Sequence, residues 1–443
     1  MPKAQTTRLV VAGCAMLALL SPSPEAQQPT PPTFRSGVDL ISIDVTVVDG
    51  AGAPVPTLEA SDFSVEVDGA PRAVVAVQFF EGAAPVVPDG RHREPIGAAM
   101  ASSADAAANQ IVFAIDVGAT SPESREQVLA TANAVLDRLP PADRVAAVTI
   151  PLRLSELAFT TNRQIVRAAL HDLGGWSPRP GRQLPFGVVE ALGMDRRERE
   201  WERAVERVCD RGDPFMRDAC RSGMESDARG LVAEANARAA TSTAGLEALL
   251  RVLARTDGPK TVLYFSEELA TDGARIEIGR VARAAAAART SIHVMHAQPS
   301  AGDAASSFLR FEPVKERQRQ LEGLELVSDW TGGRLFTLGA HAEVATRLAR
   351  ELSGRYLLLV ETAPTDRDGK AHAIKVRVPN TRSTVRARRE FVANNLRTVS
   401  TAPAASEPAA PGAAPVPAAA EPVTPVDGPA SAAARGKIPV PAV

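Results

Sequence analysis

Asp116 is the residue around which chemistry could gather. It closes an apolar run, IVFAID (111–116), and opens a turn, Val117-Gly118-Ala119-Thr120, that leads into helical sequence. A carboxylate at the C-terminal end of a buried strand stands where open α/β sheets hold their ligands. Two more segments supply matching atoms. Thr241-Ser242-Thr243 precedes an apolar-striped helix, and Ser266-Glu267-Glu268 follows the strand-like KTVLYF. Carboxylates and hydroxyls are hard oxygen donors suited to Mg²⁺ or Ca²⁺. The turn therefore reads as a metal site, a phosphatase nucleophile loop or the remains of either. The plainer alternative is a carboxylate that accepts backbone N–H groups within the turn. No Gly-x-Ser-x-Gly elbow or His-Glu-x-x-His pair offers hydrolase chemistry. His293 and His296 lie three apart in a strand, hence on opposite faces, and read as core or surface side chains.

The elements that would position Asp116 alternate strand and helix. After IVFAID, Thr120 or Ser121 can cap a helix striped by Val128, Leu129, Ala132, Val135, Leu136 and Leu139. RVAAVTI (144–150) and RLSELAF (153–159) read as strands close enough for a hairpin. Further alternation through KTVLYFS, SIHVMHA and RLFTL predicts a doubly wound, mostly parallel sheet over 108–353. A charged helical stretch at 174–240 interrupts it as an insertion, and a new helix is expected over 243–255. On either side, at 34–82 and 354–395, the period falls to two. Each flank holds three strands with hairpin turns such as Asp68-Gly69. Three strands with one apolar face are marginal alone, so the two sets are expected to form one β-sandwich. The arginines of TVRARREFV (384–392) are expected on its solvated face.

The 443-residue chain has 45% hydrophobic residues, enough for several cores, and a net charge of −2, which leaves no electrostatic footprint for nucleic acid. Lys3 and Arg8 precede a short apolar run, LVVAGCAMLALL, and together they read as an export signal over 1–26 with cleavage after Ala26. VAGC (11–14) resembles a lipoprotein box, but the apolar run continues past Cys14. No second apolar segment has spanning length, so a periplasmic or secreted protein is expected. In that oxidising compartment Cys209 and Cys220 are expected to pair, and too few other ligands lie nearby for zinc. The Ala/Pro-rich stretch 396–443 is expected to be disordered. Arg211-Gly212-Asp213, between the cysteines, reads as coincidence.

Asp116, with Gly118 and Thr120 in the alternate positions after it, Thr243 in TSTAGLEAL and Glu267 in LYFSEEL together resemble the von Willebrand factor A domain family. The metal-ion-dependent adhesion site of that family is Asp-x-Ser-x-Ser, a loop Thr and a later Asp. GPKTVLYFSEEL, SDWTGGRLF and SGRYLLLVETAPTDRDGKAHAIKVRV resemble the VWFA-related proteins of Acidobacteria, over roughly 34–392. The resemblance implies a metal site at Asp116, Thr120, Thr243 and Glu267, degenerate because Gly118 replaces a hydroxyl and Glu267 is one methylene too long. Little or no Mg²⁺ or Ca²⁺ is then expected as cofactor. It also implies a non-enzymatic protein that binds an unidentified protein partner, with metal-dependent adhesion as the alternative. DVGAT also resembles the Asp-x-Asp-x-Thr loop of haloacid-dehalogenase-like phosphatases, but Gly118 replaces the general acid and SIHVMHAQPS ends without carboxylates.

Overall fold

A computed structural model of the chain describes residues 38–81, 84–86, 108–152, 157–173, 184–210, 213–270, 274–298, 313–379, 382–392 and 397–399. The expected leader and almost all of the expected tail lie outside the described residues. No helix among the described residues is long and apolar enough to cross a membrane.

The chain begins with β1 (Val38–Val48), β2 (Ser64–Val67), β3 (Ala70–Arg72), β4 (Val74–Glu81) and β5 (Ala84–Val86). Alternation in β1 buries Ile41, Ile43, Val45 and Val47 in one core. Asp68 and Gly69, both at positive φ (49° and 79°), make the two-residue turn between β2 and β3. Two successive positive φ values are what Asp-Gly supplies in a hairpin.

The central body follows as β6 (Gln110–Asp116), α1 (Arg125–Leu136), β7 (Arg144–Ile150), α2 (Arg163–Asp172), α3 (Val188–Leu192), α4 (Arg199–Cys209) and α5 (Pro214–Leu253). It continues through β8 (Lys260–Ser266), α6 (Ala274–Ala287), β9 (Thr290–His296), α7 (Pro313–Thr331), β10 (Leu335–Thr337) and α8 (His341–Leu352). The five strands form a parallel sheet in the order β10-β9-β8-β6-β7. Both faces are covered. Val112 and Ala114 of β6 pack with α5, α6 and α7, while Ile111, Phe113 and Ile115 pack with α1, α2 and α8. That is why IVFAID is apolar at consecutive positions rather than alternate ones. The expected hairpin after β7 is replaced by a single bridge between Val145 and Thr160. Residues 157–159 form no strand, and 153–156 lie outside the described residues.

The insertion has its own core of Phe186, Trp201, Val205, Met224 and Ala228. Cys209, at the end of α4, is disulfide-bonded to Cys220 in α5. Closing this short loop should contribute about 3 kcal/mol, mostly to the α4–α5 pair. The Cys209→Ser, Cys220→Ser double variant is expected to be cut first within 199–225 under limited proteolysis, with the parallel sheet still protected. Equal cleavage of the two proteins would show that the bond contributes nothing locally.

The expected break between the insertion and a helix at 243 is absent, since α5 runs unbroken for 40 residues. Thr241 and Thr243 donate their hydroxyls to the carbonyls of Ala237 and Ala239, both at 2.9 Å. Back-bonding of this kind lets side chains that usually cap a helix sit inside one. Lys260 Nζ closes the far end of α5 by donating to the carbonyls of Leu253 and Thr256.

The last strands are β11 (Gly354–Glu361), β12 (Ala371–Arg377), β13 (Thr384–Ala387), β14 (Glu390–Val392) and β15 (Arg397–Val399). They interleave with the first ones. One sheet has the order β13-β1-β11-β4-β5, with β15 also on β1, and the other has the order β14-β12-β2-β3. A single core of Ile43, Val65, Phe79, Leu358, Ile374 and Phe391 lies between them, so the flanks form a sandwich. β15 falls within the segment expected to be tail. TVRARREFV, expected as one strand, is two: β13 lies in the first sheet and β14 in the second. The solvated arginine face holds for Arg389, which is exposed, and is corrected at the other two positions. Arg386 pairs with Glu351 at 2.7 Å, and Arg388 donates to the carbonyl of Ser42 at 2.7 Å.

Candidate functional site

Asp116 ends β6 and is only 1% exposed. Its Oδ1 accepts the N–H groups of Gly118 (3.2 Å) and Ala119 (3.0 Å). Its Oδ2 accepts the hydroxyl of Tyr264 at 2.5 Å. Tyr264 stands beside Ala114 in the next strand, two residues before Asp116 on the same face. The small Ala114 leaves that face open for the ring. Ser242, from α5, lies close enough to Asp116 and Tyr264 to lower the pKa of each. Burial raises the Asp116 carboxyl above its ordinary range, against the lowering effect of Ser242 and of bonds from Tyr264, Ala119 and Gly118. Burial, with the nearby Asp116 charge, pushes the Tyr264 phenol well above its ordinary value, so it stays a donor.

Two of the other expected ligands are turned elsewhere. Thr243 faces the carbonyls of its own helix, Ala239 at 2.9 Å and Ala240 at 3.1 Å. Glu267 Oε1 accepts the N–H (2.7 Å) and hydroxyl (2.5 Å) of Ser121. Glu267 N–H in turn donates to the carbonyl of Ala119 at 3.3 Å. The longer side chain thus fastens the turn after β6 to the end of β8. Thr120 Oγ1 is buried without a hydrogen-bond partner. Gly118 is not among the glycines with positive φ, and a Cβ there would meet only Asp116 Oδ1, at 3.6 Å. The missing hydroxyl is therefore a matter of residue choice rather than backbone necessity. Among the described residues, no three His, Cys, Asp or Glu side chains gather as metal ligands do.

These residues do not fit a hard divalent ion. Such an ion draws carboxylate and hydroxyl oxygens toward one point. Here the N–H groups of Gly118 and Ala119 and the Tyr264 hydroxyl converge on Asp116, while Thr243 and Glu267 Oε1 are held by other partners and Thr120 Oγ1 has none.

No family model and no curated protein matches the chain. Among solved structures, one similar chain is titled "von Willebrand factor type A from Catenulispora acidiphila". The similarity spans 81% of this chain and 75% of that one, at 9% identity and a TM-score of 0.30. Agreement at that level assigns no residue, and the site is read from its own geometry.

Sequence reasoning found Asp116 and the Thr241-Ser242-Thr243 segment, chose Thr243 over Ser242 within it, took Ser121 only for a cap, and missed Tyr264. A signal for Tyr264 was present. It is one of two tyrosines in the chain and sits in an otherwise apolar strand, where a buried hydroxyl needs a partner. Asp213, third residue of Arg-Gly-Asp, caps α5 by accepting the N–H of Met216 at 2.9 Å.

His293 and His296 are both core residues, 6% and 4% exposed. Burial drives His293 down to about 3, reinforced by Arg386 and Arg334, and His296 to about 4, where burial outweighs a bond to the backbone of Glu267. Their folded values lie below the unfolded one, so the unfolded chain binds more protons. Stability is then complete above about pH 6.5 and is lost as pH falls toward the folded values. For His293 alone the loss reaches about 4 kcal/mol by pH 3. His293→Leu should flatten the fall in unfolding free energy between pH 6.5 and 4. An unchanged slope would mean that His293 titrates normally in the folded protein.

Proposed function

We propose that the chain is an exported, non-enzymatic binding or scaffold protein whose α/β body recognises a protein partner without a metal ion. The observation that carries this reading is the Tyr264 hydroxyl on Asp116 Oδ2 at 2.5 Å. It commits the carboxylate at the end of β6 to the fold. The same geometry counts against a phosphatase nucleophile, because a carboxylate that is 1% exposed presents nothing to substrate. The insertion offers a second contact region. Phe215 and Met216, in the first turn of α5, are 80% and 57% exposed. Adjacent exposed apolar side chains of this size suit a protein interface.

Metal-dependent adhesion is kept as a second reading by the buried, partnerless Thr120 Oγ1. Affinity capture from an envelope fraction with the full chain separates the two. The same partner should be retained with and without chelator, and retained less by a Phe215→Ser, Met216→Ser variant. Release of the partner by chelator would put the metal-dependent reading first.

A further inference from the structure

At the opposite end of the parallel strands from Asp116, the sheet meets the first antiparallel sheet across a cavity of about 80 Å³. Its lining includes Lys260, Arg289, Arg355, Arg386 and Arg388 against two carboxylates, Asp44 and Glu351. The five lining cations outnumber the carboxylates, although Asp143 also faces Arg355 and Asp257 faces Lys260. Glu351 is committed to Arg334 (2.6 Å) and Arg386 (2.7 Å). Asp44 is paired with Arg289 at 2.9 Å, and its charge also faces Arg355 and Arg388. Arg355 stacks on Phe80 with 5.0 Å from guanidinium carbon to ring centre, and donates to Asn109 at 2.8 Å. Arg388 donates one nitrogen to the carbonyl of Ser42, and its Nε is shut off from solvent with no hydrogen-bond partner.

Holding these cations away from water is costly. Burial brings Arg388 down to about 10 and Lys260 down to about 8. Arg388 Nε is thus a buried donor without an acceptor in a seam where cations outnumber carboxylates. One water takes roughly 10–15 Å³ of such space, so the cavity has room for a larger guest. Arginine's planar fork matches tetrahedral oxyanions well.

We propose that this seam binds a small oxyanion of the sulfate or phosphate class, held by Arg388 and Arg355, which ties the parallel sheet to the antiparallel one. The proposal is independent of the function proposed above.

Thermal unfolding of the full chain in sulfate, phosphate and chloride at matched ionic strength tests it. Sulfate or phosphate should raise the midpoint saturably beyond chloride. Arg388→Met should shift the half-maximal concentration upward by roughly tenfold. Equal effects of the three salts would overturn the proposal, as would an anion increment unaltered by Arg388→Met. If that variant does not fold, wild-type crystals soaked in selenate decide: an anomalous peak between Arg355 and Arg388 supports the site, and its absence at saturating selenate refutes it.

Discussion

Replacing Asp116 by alanine is expected to destabilise the protein by about 4 kcal/mol, because it strands several buried donors at once. The N–H groups of Gly118 and Ala119 and the hydroxyl of Tyr264 all point at this carboxylate. None gains water in exchange, since the site is closed. Asp116→Asn should recover about half of the loss. Its oxygen still accepts from the turn, and its amide can donate to the tyrosine oxygen. Urea unfolding in the presence of chelator measures both. The chelator matters, because a carboxylate that served only to hold an ion would be dispensable to the ion-free fold. An alanine variant as stable as wild type under chelation would return Asp116 to a ligand's role.

Removing residues 34–82 should leave the C-terminal strands without structure. β11 lies between β1 and β4, with Leu358 opposite Ile43 on one side and Val77 on the other. β12 lies between β2 and β14, with Val376 opposite Val65. The deletion strips β11 of both neighbours and takes away Ile41, Ile43, Val45, Val47, Val65 and Phe79 from the shared core. Burial of each such side chain stabilises by about 1.5–3 kcal/mol, so loss of the set exceeds what a sheet can tolerate. Proteolysis should then cut 354–392 at the rate of an unfolded peptide. Protection equal to that of the full chain would show that these strands stand without the N-terminal ones.

Much of this architecture was legible because it rests on local period. IVFAID announces a strand covered on both faces, and VDLISIDVTVV one covered on a single face. The return to period two after residue 354 pointed to a sandwich made from both flanks. What escaped depends on partners distant in sequence. Thr241-Ser242-Thr243 has the composition of a helix start, yet i−4 carbonyls satisfy both threonines inside α5. That continuity carries Thr243 away from Asp116 and brings Ser242 to it. TVRARREFV alternates like one strand, but the chain changes sheets at Arg388-Arg389, and the acceptors on Ser42 and Glu351 explain why Arg388 and Arg386 turn inward. At the candidate site, sequence order located Asp116 and Glu267. It could not show that a tyrosine 148 positions along the chain occupies the carboxylate.

The most direct test is titration calorimetry of the full wild-type chain with Mg²⁺ and Ca²⁺, beside the triple variant Gly118→Ser, Tyr264→Phe, Glu267→Asp. The wild type should give no Mg²⁺ heat and at most weak Ca²⁺ binding, since a small ion tolerates missing ligands poorly. The triple variant frees Asp116 Oδ2, restores a hydroxyl where the backbone has room for it, and shortens the second carboxylate. It is therefore expected to gain Mg²⁺ binding. Micromolar Mg²⁺ binding by the wild type would contradict the account, because it would show that the Tyr264 hydroxyl yields its place on Asp116 to an ion.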